Sequence, residues 1–190
     1  NDRPVFVLMA GTNIDRIVTF YKIANATKRL FLLDTYAGKI TDTIGGNIPN
    51  PRTFSNVRIF LTNQDKYEIL KNYPQNKIGK NEIANSNFMM CIRSSMKQYL
   101  ENRSKEFSFE GCVLFYSMWE GYKKQENMKE FLKFMEEKGV KTISLHTSGH
   151  ADEKDFDKLI KKVEPKIIIP VHTENSEWFK RYENCEVICD

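Results

Sequence analysis

Histidine is absent from the first 145 residues of this 190-residue chain, and the three it has, His146, His150 and His172, crowd into one late stretch. A histidine-built metal centre inside the long N-terminal part is thereby excluded. The four cysteines, Cys91, Cys112, Cys185 and Cys189, have no Cys-x-x-Cys spacing of the kind zinc ribbons and redox sites use. Cys91 and Cys112 fall inside strand-like runs, so the thiols read as reduced and partly buried, and the compartment as cytoplasmic. No apolar run approaches the ~18 residues of a membrane span, and no signal-peptide pattern is visible. The nine glycines build no phosphate-cradling loop, which leaves a flavodoxin-like nucleotide domain unsupported. Internal repeats and low-complexity tracts are missing too. The chain starts at Asn1 rather than Met and enters a strand almost at once, as expected of an excised piece.

What is present is ordinary for a soluble α/β protein: 41% hydrophobic, 28% charged, enough length for one large domain or two small ones. The net charge of +4 is too small to argue for nucleic acid by itself, but its distribution is uneven. Residues 64–105 hold eight cations (Lys66, Lys71, Lys77, Lys80, Arg93, Lys97, Arg103, Lys105) against four acids, an excess equal to that of the whole chain. Tyr67, Tyr73, Phe88 and Tyr99 are interleaved with them, which offers stacking faces beside phosphate contacts. A solvated, merely basic surface is the plain alternative.

Strands alternate with helices along the chain. Pro4–Ala10 is a continuous apolar run, expected of a strand covered on both faces. Thr12 or Asn13 can cap the helix that carries Ile14, Ile17, Val18, Tyr21 and Ile23. Arg29–Asp34 is the next strand, and Asp34 at its end reads either as a functional acid or as a helix cap. Ile40–Phe54, rich in Gly, Asn and Pro, is expected to be a loop. Strands follow at Val57–Leu61, Phe88–Ile92 and Gly111–Tyr116, with helices from Thr62 or Asn63 to Asn72, near Ser94–Leu100 and over Glu126–Lys138; Gly139 is a good C-cap. At the end of the third of these strands, Ser117 could touch a phosphate or cap a turn. A mostly parallel sheet with flanking helices follows from the alternation.

The histidine stretch has its own logic. Val140, Ile143 and Leu145 form a strand, Ser148-Gly149 a turn, and Ala151-Asp152 opens a helix with Phe156, Leu159, Ile160 and Val163 at 3/4 spacing. Pro165 stops it, and Lys166–Val171 reads as a buried strand ending at His172. A strand–turn–helix–strand unit predicts a parallel pair. Ligands gather at the carboxyl ends of such strands, so His150 and His172 can converge on a metal or phosphate although 22 positions separate them. A helix near Ser176–Tyr182 and an edge strand at Glu186–Cys189 complete the chain.

Ser148-Gly149-His150-Ala151, a helix, and then Pro165-Lys166-Ile167-Ile168-Ile169-Pro170-Val171-His172 resemble the terminal segment of the RNA-metabolising metallo-β-lactamases, the β-CASP group that includes ribonuclease J and the mRNA 3′-end endonucleases. The resemblance implies that His172 ligates one of two zinc ions while Ser148 and His150 hold the scissile phosphate. It implies a β-CASP-like domain over residues 1–122, with Asp34 as counterpart of that group's first acidic motif, and a lactamase tail of strand–helix–strand–helix–strand over 123–190. Asn13 and Arg16 could then face the RNA path, with a helix cap and a surface ion pair as the plain reading. The family has Gly-Glu after the second histidine where this chain has Thr173-Glu174. The family's main zinc ligands, an HxHxDH motif, are absent from these 190 residues. A dinuclear centre needs several His and Asp ligands. The expectation is therefore a fragment of an RNA nuclease, inactive alone and completed by an N-terminal lactamase half, with His146 structural. The alternative is a non-catalytic α/β module that binds nucleic acid or a partner without metal.

Overall fold

The computed structural model describes residues 3–62, 71–145, 152–171, 173 and 175–189. By compactness the chain divides into Asn1–Thr147 and Ser148–Asp190.

The first unit is built on six parallel strands: β1 (Val5–Leu8), β2 (Leu30–Asp34), β3 (Val57–Phe60), β4 (Phe88–Ile92), β5 (Val113–Tyr116) and β6 (Lys141–Ser144). Their order across the sheet is β3-β2-β4-β1-β5-β6. The chain moves outward from β1 through α1 (Ile14–Ala26) to β2, and through α2 (Thr35–Ile44) to β3. It then returns past the short α3 (Lys80–Ala84) to β4, and through α4 (Lys97–Arg103) and α5 (Glu126–Glu137) to β5 and β6. Right-handed crossovers put helices reached in opposite directions on opposite faces.

Strand alternation agrees with that placement. Phe6, Leu8, Leu32, Phe88, Met90 and Leu114 pack in one core with Leu100 of α4 and Phe131 of α5. Val7, Phe31, Leu33, Met89 and Cys91 pack in the other with Ile17, Phe20 and Ala24 of α1. Both faces of the central strands are covered, which is why β1, β2 and β4 read as unbroken apolar runs.

Several local expectations need correction. The loop foreseen over Ile40–Phe54 begins only after Ile44, because nothing between Gly38 and Gly45 interrupts α2. Gly45, at φ 64°, is the stop. The helix expected from Thr62 or Asn63 to Asn72 falls mostly outside the described residues; 71–72 make a single 3₁₀ turn. Gly139, at φ 77°, terminates α5 as foreseen. All four cysteines are free, and burial pushes the Cys112 thiol up to about 11.

The second unit holds α6 (Glu153–Val163), a 3₁₀ turn over Ser176–Arg181, and a parallel pair of two-residue strands, β7 (Ile167–Ile168) and β8 (Glu186–Val187). Phe156 of α6 meets Phe179 at 5.2 Å, and Trp178 and Tyr182 extend the ring cluster. One expectation fails here. The strand foreseen over Lys166–Val171 is only two residues long, and Ile167 is half exposed. Its ladder stops short of Pro170, which has no N–H to donate. The strand paired in parallel with β7 is β8. Glu164, in the left-handed region at φ 47°, closes α6 one residue before Pro165.

Candidate functional site

In open α/β sheets ligands collect beyond the carboxyl ends of neighbouring strands whose connections leave in opposite directions. Among the neighbouring pairs of this sheet that meet that condition, β2/β4 and β1/β5 carry sequence-derived candidates. At the first, β2 leads outward to α2 and its neighbour β4 leads back toward β5. Asp34 ends β2 and caps α2, its Oδ1 accepting from Ala37 N at 3.1 Å. Its other oxygen is ion-paired with Arg93, the residue after β4. Asp34 is 3% exposed, while the Arg93 side chain keeps about a third of its surface in solvent. The Arg93 guanidinium also lies 4.9 Å from the centre of the half-exposed Tyr36 ring. Burial, and behind it the negative charge of Asp34, raise the Cys91 thiol far above its usual range, so that thiol stays protonated.

At the second place, β1 leads to α1 and its neighbour β5 leads toward β6. Asn13 caps α1 by accepting from Arg16 N at 3.2 Å. Arg16 reaches across and donates to the Ser117 carbonyl at 2.8 Å and to the Ser117 hydroxyl. That hydroxyl in turn donates to the Leu145 carbonyl at 2.8 Å. Ser117 is buried, and its backbone N–H bonds the Leu8 carbonyl at 2.9 Å. The ends of β1, β5 and β6 are thus laced together by one serine and one arginine. Replacing Ser117 with alanine removes the donor to the Leu145 carbonyl and an acceptor for Arg16, and should lower stability by about 1 kcal/mol. An unchanged urea-unfolding midpoint would contradict that.

The sequence-derived candidates fare unevenly. Ser148, His150 and His172 all lie outside the described residues, as does His146. Asp34 is described, and its capping and ion-pairing roles are both visible. Asn13 caps its helix, and Arg16 donates to Ser117. The Ser117 hydroxyl, foreseen on a phosphate or a turn cap, is committed to Leu145.

The basic stretch is corrected most. Tyr73, Phe88 and Tyr99 are at most 5% exposed and belong to the cores, so they offer no stacking faces; Tyr67 lies outside the described residues. Alternation hid this, because an aromatic between polar residues suits a half-buried strand or helix as well as an RNA face. Arg103 is buried against Glu106 at 2.7 Å and over Tyr99, Arg93 is held by Asp34, and Lys97 leans on Glu130 at 3.7 Å. Among the described residues the exposed aromatic rings are Tyr36, after β2, and Trp119 and Tyr122, after β5. The presence of Trp119 in a polar Gly-containing turn was the sequence feature that could have pointed to it.

Among the described residues no three His, Cys, Asp or Glu side chains gather as metal ligands. Among the described residues no helix is long and apolar enough to cross a membrane.

Residues 139–182 match the family model of the Zn-dependent metallo-hydrolase RNA specificity domain. The resemblance to RNA-metabolising metallo-β-lactamases therefore stands over that segment, which spans β6, the histidine stretch, α6, β7 and the 3₁₀ turn. No curated protein matches the chain.

Proposed function

We propose that this chain is the RNA-handling part of a zinc-dependent nuclease whose remaining metal ligands come from a lactamase half carrying the HxHxDH motif. The observation that carries this reading is the match of residues 139–182 to an RNA specificity domain of zinc-dependent metallo-hydrolases. In this reading residues 1–122 are a β-CASP-like domain and 123–190 the tail of the lactamase domain. His172 contributes one zinc ligand, and Ser148 and His150 hold the scissile phosphate. Asp34 serves as the first acidic motif, in addition to capping α2. Zinc, when bound, supplies an activated water and neutralises charge on the phosphate. The chain's own residues bind the RNA, orient the phosphate and keep it beside the metal. Four free thiols fit a reducing, cytoplasmic setting.

The cations of 64–105 that the structure leaves on the surface, Lys71, Lys77, Lys80 and Lys105 among the described residues, support contact with the RNA backbone. The 190-residue chain is expected to bind single-stranded RNA weakly and to hydrolyse none. Its affinity should fall with salt at a log–log slope of roughly 0.7 per phosphate neutralised. Binding that ignores salt, or that survives alanine at those four lysines, would remove the basic stretch from the interface. Phosphodiesterase turnover with tightly bound zinc would overturn the division of labour between the two parts. A complete protein without zinc would favour the non-catalytic module instead.

A further inference from the structure

We propose that the turn after β5 is a base-stacking subsite for single-stranded RNA, with Trp119 as its platform. The proposal rests on the RNA reading above and adds a place for it. The chain has two tryptophans. Trp178 is packed against Phe179 at 5.0 Å and under Arg181 at 4.6 Å, whereas Trp119 is 61% exposed. Tyr122, 39% exposed, stands edge-on to Trp119 at 5.5 Å. The two rings stand at right angles, and more than half of the Trp119 surface is open to solvent.

The turn is held firmly from below. The Tyr116 hydroxyl donates to the Trp119 carbonyl at 2.9 Å. Lys123 donates to Ser144 Oγ at 2.8 Å, pairs with Glu120 at 2.7 Å, and sits 4.6 Å above the Tyr116 ring. A platform fixed in advance loses little freedom when a base lands on it, which favours binding. The Trp119 turn also follows directly on Ser117, the residue that bonds Leu145. Leu145 is three residues ahead of Ser148 in the chain and lies within the RNA-specificity segment.

The chemistry around the rings selects a nucleic acid over a protein. A protein hot spot needs a desolvated apolar surround, but Trp119 and Tyr122 alternate with Glu120, Lys123 and the exposed Lys124. Exposed aromatic rings beside the exposed Lys124 suit bases joined by phosphates, and every base has a face to stack, so little sequence preference is expected.

The test uses the full 190-residue chain, a short oligouridylate, and a duplex RNA of the same length. Oligouridylate should quench tryptophan emission saturably in the wild type and not in W119F, which keeps Trp178 as the remaining reporter. By fluorescence anisotropy W119F should bind nearly as well as wild type, and W119A about tenfold more weakly. W119A should unfold at the wild-type temperature, because the side chain is exposed. Oligouridylate that binds salt-dependently, yet with equal affinity to W119A, sinks the subsite and leaves the RNA reading standing. Duplex RNA that quenches as strongly as the single strand also sinks it, since paired bases offer no free face. No RNA binding by the wild type at low salt brings down the subsite and the RNA reading of this chain together.

Discussion

Asp34→Ala is expected to cost the first unit about 3 kcal/mol, combining a lost helix cap of ~1 kcal/mol with a partly buried arginine left without its carboxylate. The full penalty for breaking a buried pair is discounted because about a third of the Arg93 side chain remains in water. Asp34→Asn separates the two contributions. Its side-chain oxygen still accepts from Ala37 N, so the cap survives, while the charge facing Arg93 is gone. The asparagine variant should therefore recover about 1 kcal/mol relative to alanine. Chemical denaturation of wild type, D34N and D34A measures all three. Equal losses for both variants would show that the cap contributes nothing, and near-zero losses would show that the ion pair is idle. In the complete enzyme the same pair of variants addresses the proposed acidic motif. Activity lost by D34N, beyond its loss of stability, marks a role for the charge itself.

His150→Ala and His172→Ala are expected to disable the proposed two-part nuclease in different ways. If His172 is a zinc ligand, its removal lowers metal content and activity together. If His150 holds phosphate, its removal leaves the metal in place and takes away a donor to the charge that develops on the phosphoryl oxygens. Losing one such donor costs ~3–4 kcal/mol, or about 10²–10³ in kcat. Zinc stoichiometry beside kcat, measured on both variants, separates the roles. A H150A protein stripped of metal, or a H172A protein with its full complement, would reverse or void the assignment.

How legible these features were follows from where the information sits. The apolar runs Pro4–Ala10, Arg29–Asp34 and Phe88–Ile92 announced buried strands because both faces of β1, β2 and β4 are covered, so no polar position interrupts them. The Asn13 cap and the Gly139 stop were legible for a related reason: a side-chain acceptor at a helix start and a left-handed residue at a helix end are local requirements. The family segment was legible as well, since its motif is a spacing of a few residue types along the chain.

Other features depend on residues distant in sequence. That Arg93 answers Asp34 across 59 positions, and that Arg16, Ser117 and Leu145 form one lattice, follows from the strand order β2-β4-β1-β5-β6. No periodicity encodes that order. The basic stretch shows the same limit. Tyr73, Phe88 and Tyr99 looked like stacking faces in one dimension and are core in three, while Trp119, in an unremarked turn, stands in solvent. The brief, half-exposed β7 was likewise misread, since an apolar run tells what a strand could bury but not whether another element arrives to cover it. Local chemistry and hydrophobic pattern thus determined the elements, their caps and the family segment. Only the tertiary structure decided which charges pair and which aromatics are left for a ligand, because burial is a property of neighbours brought together by the fold.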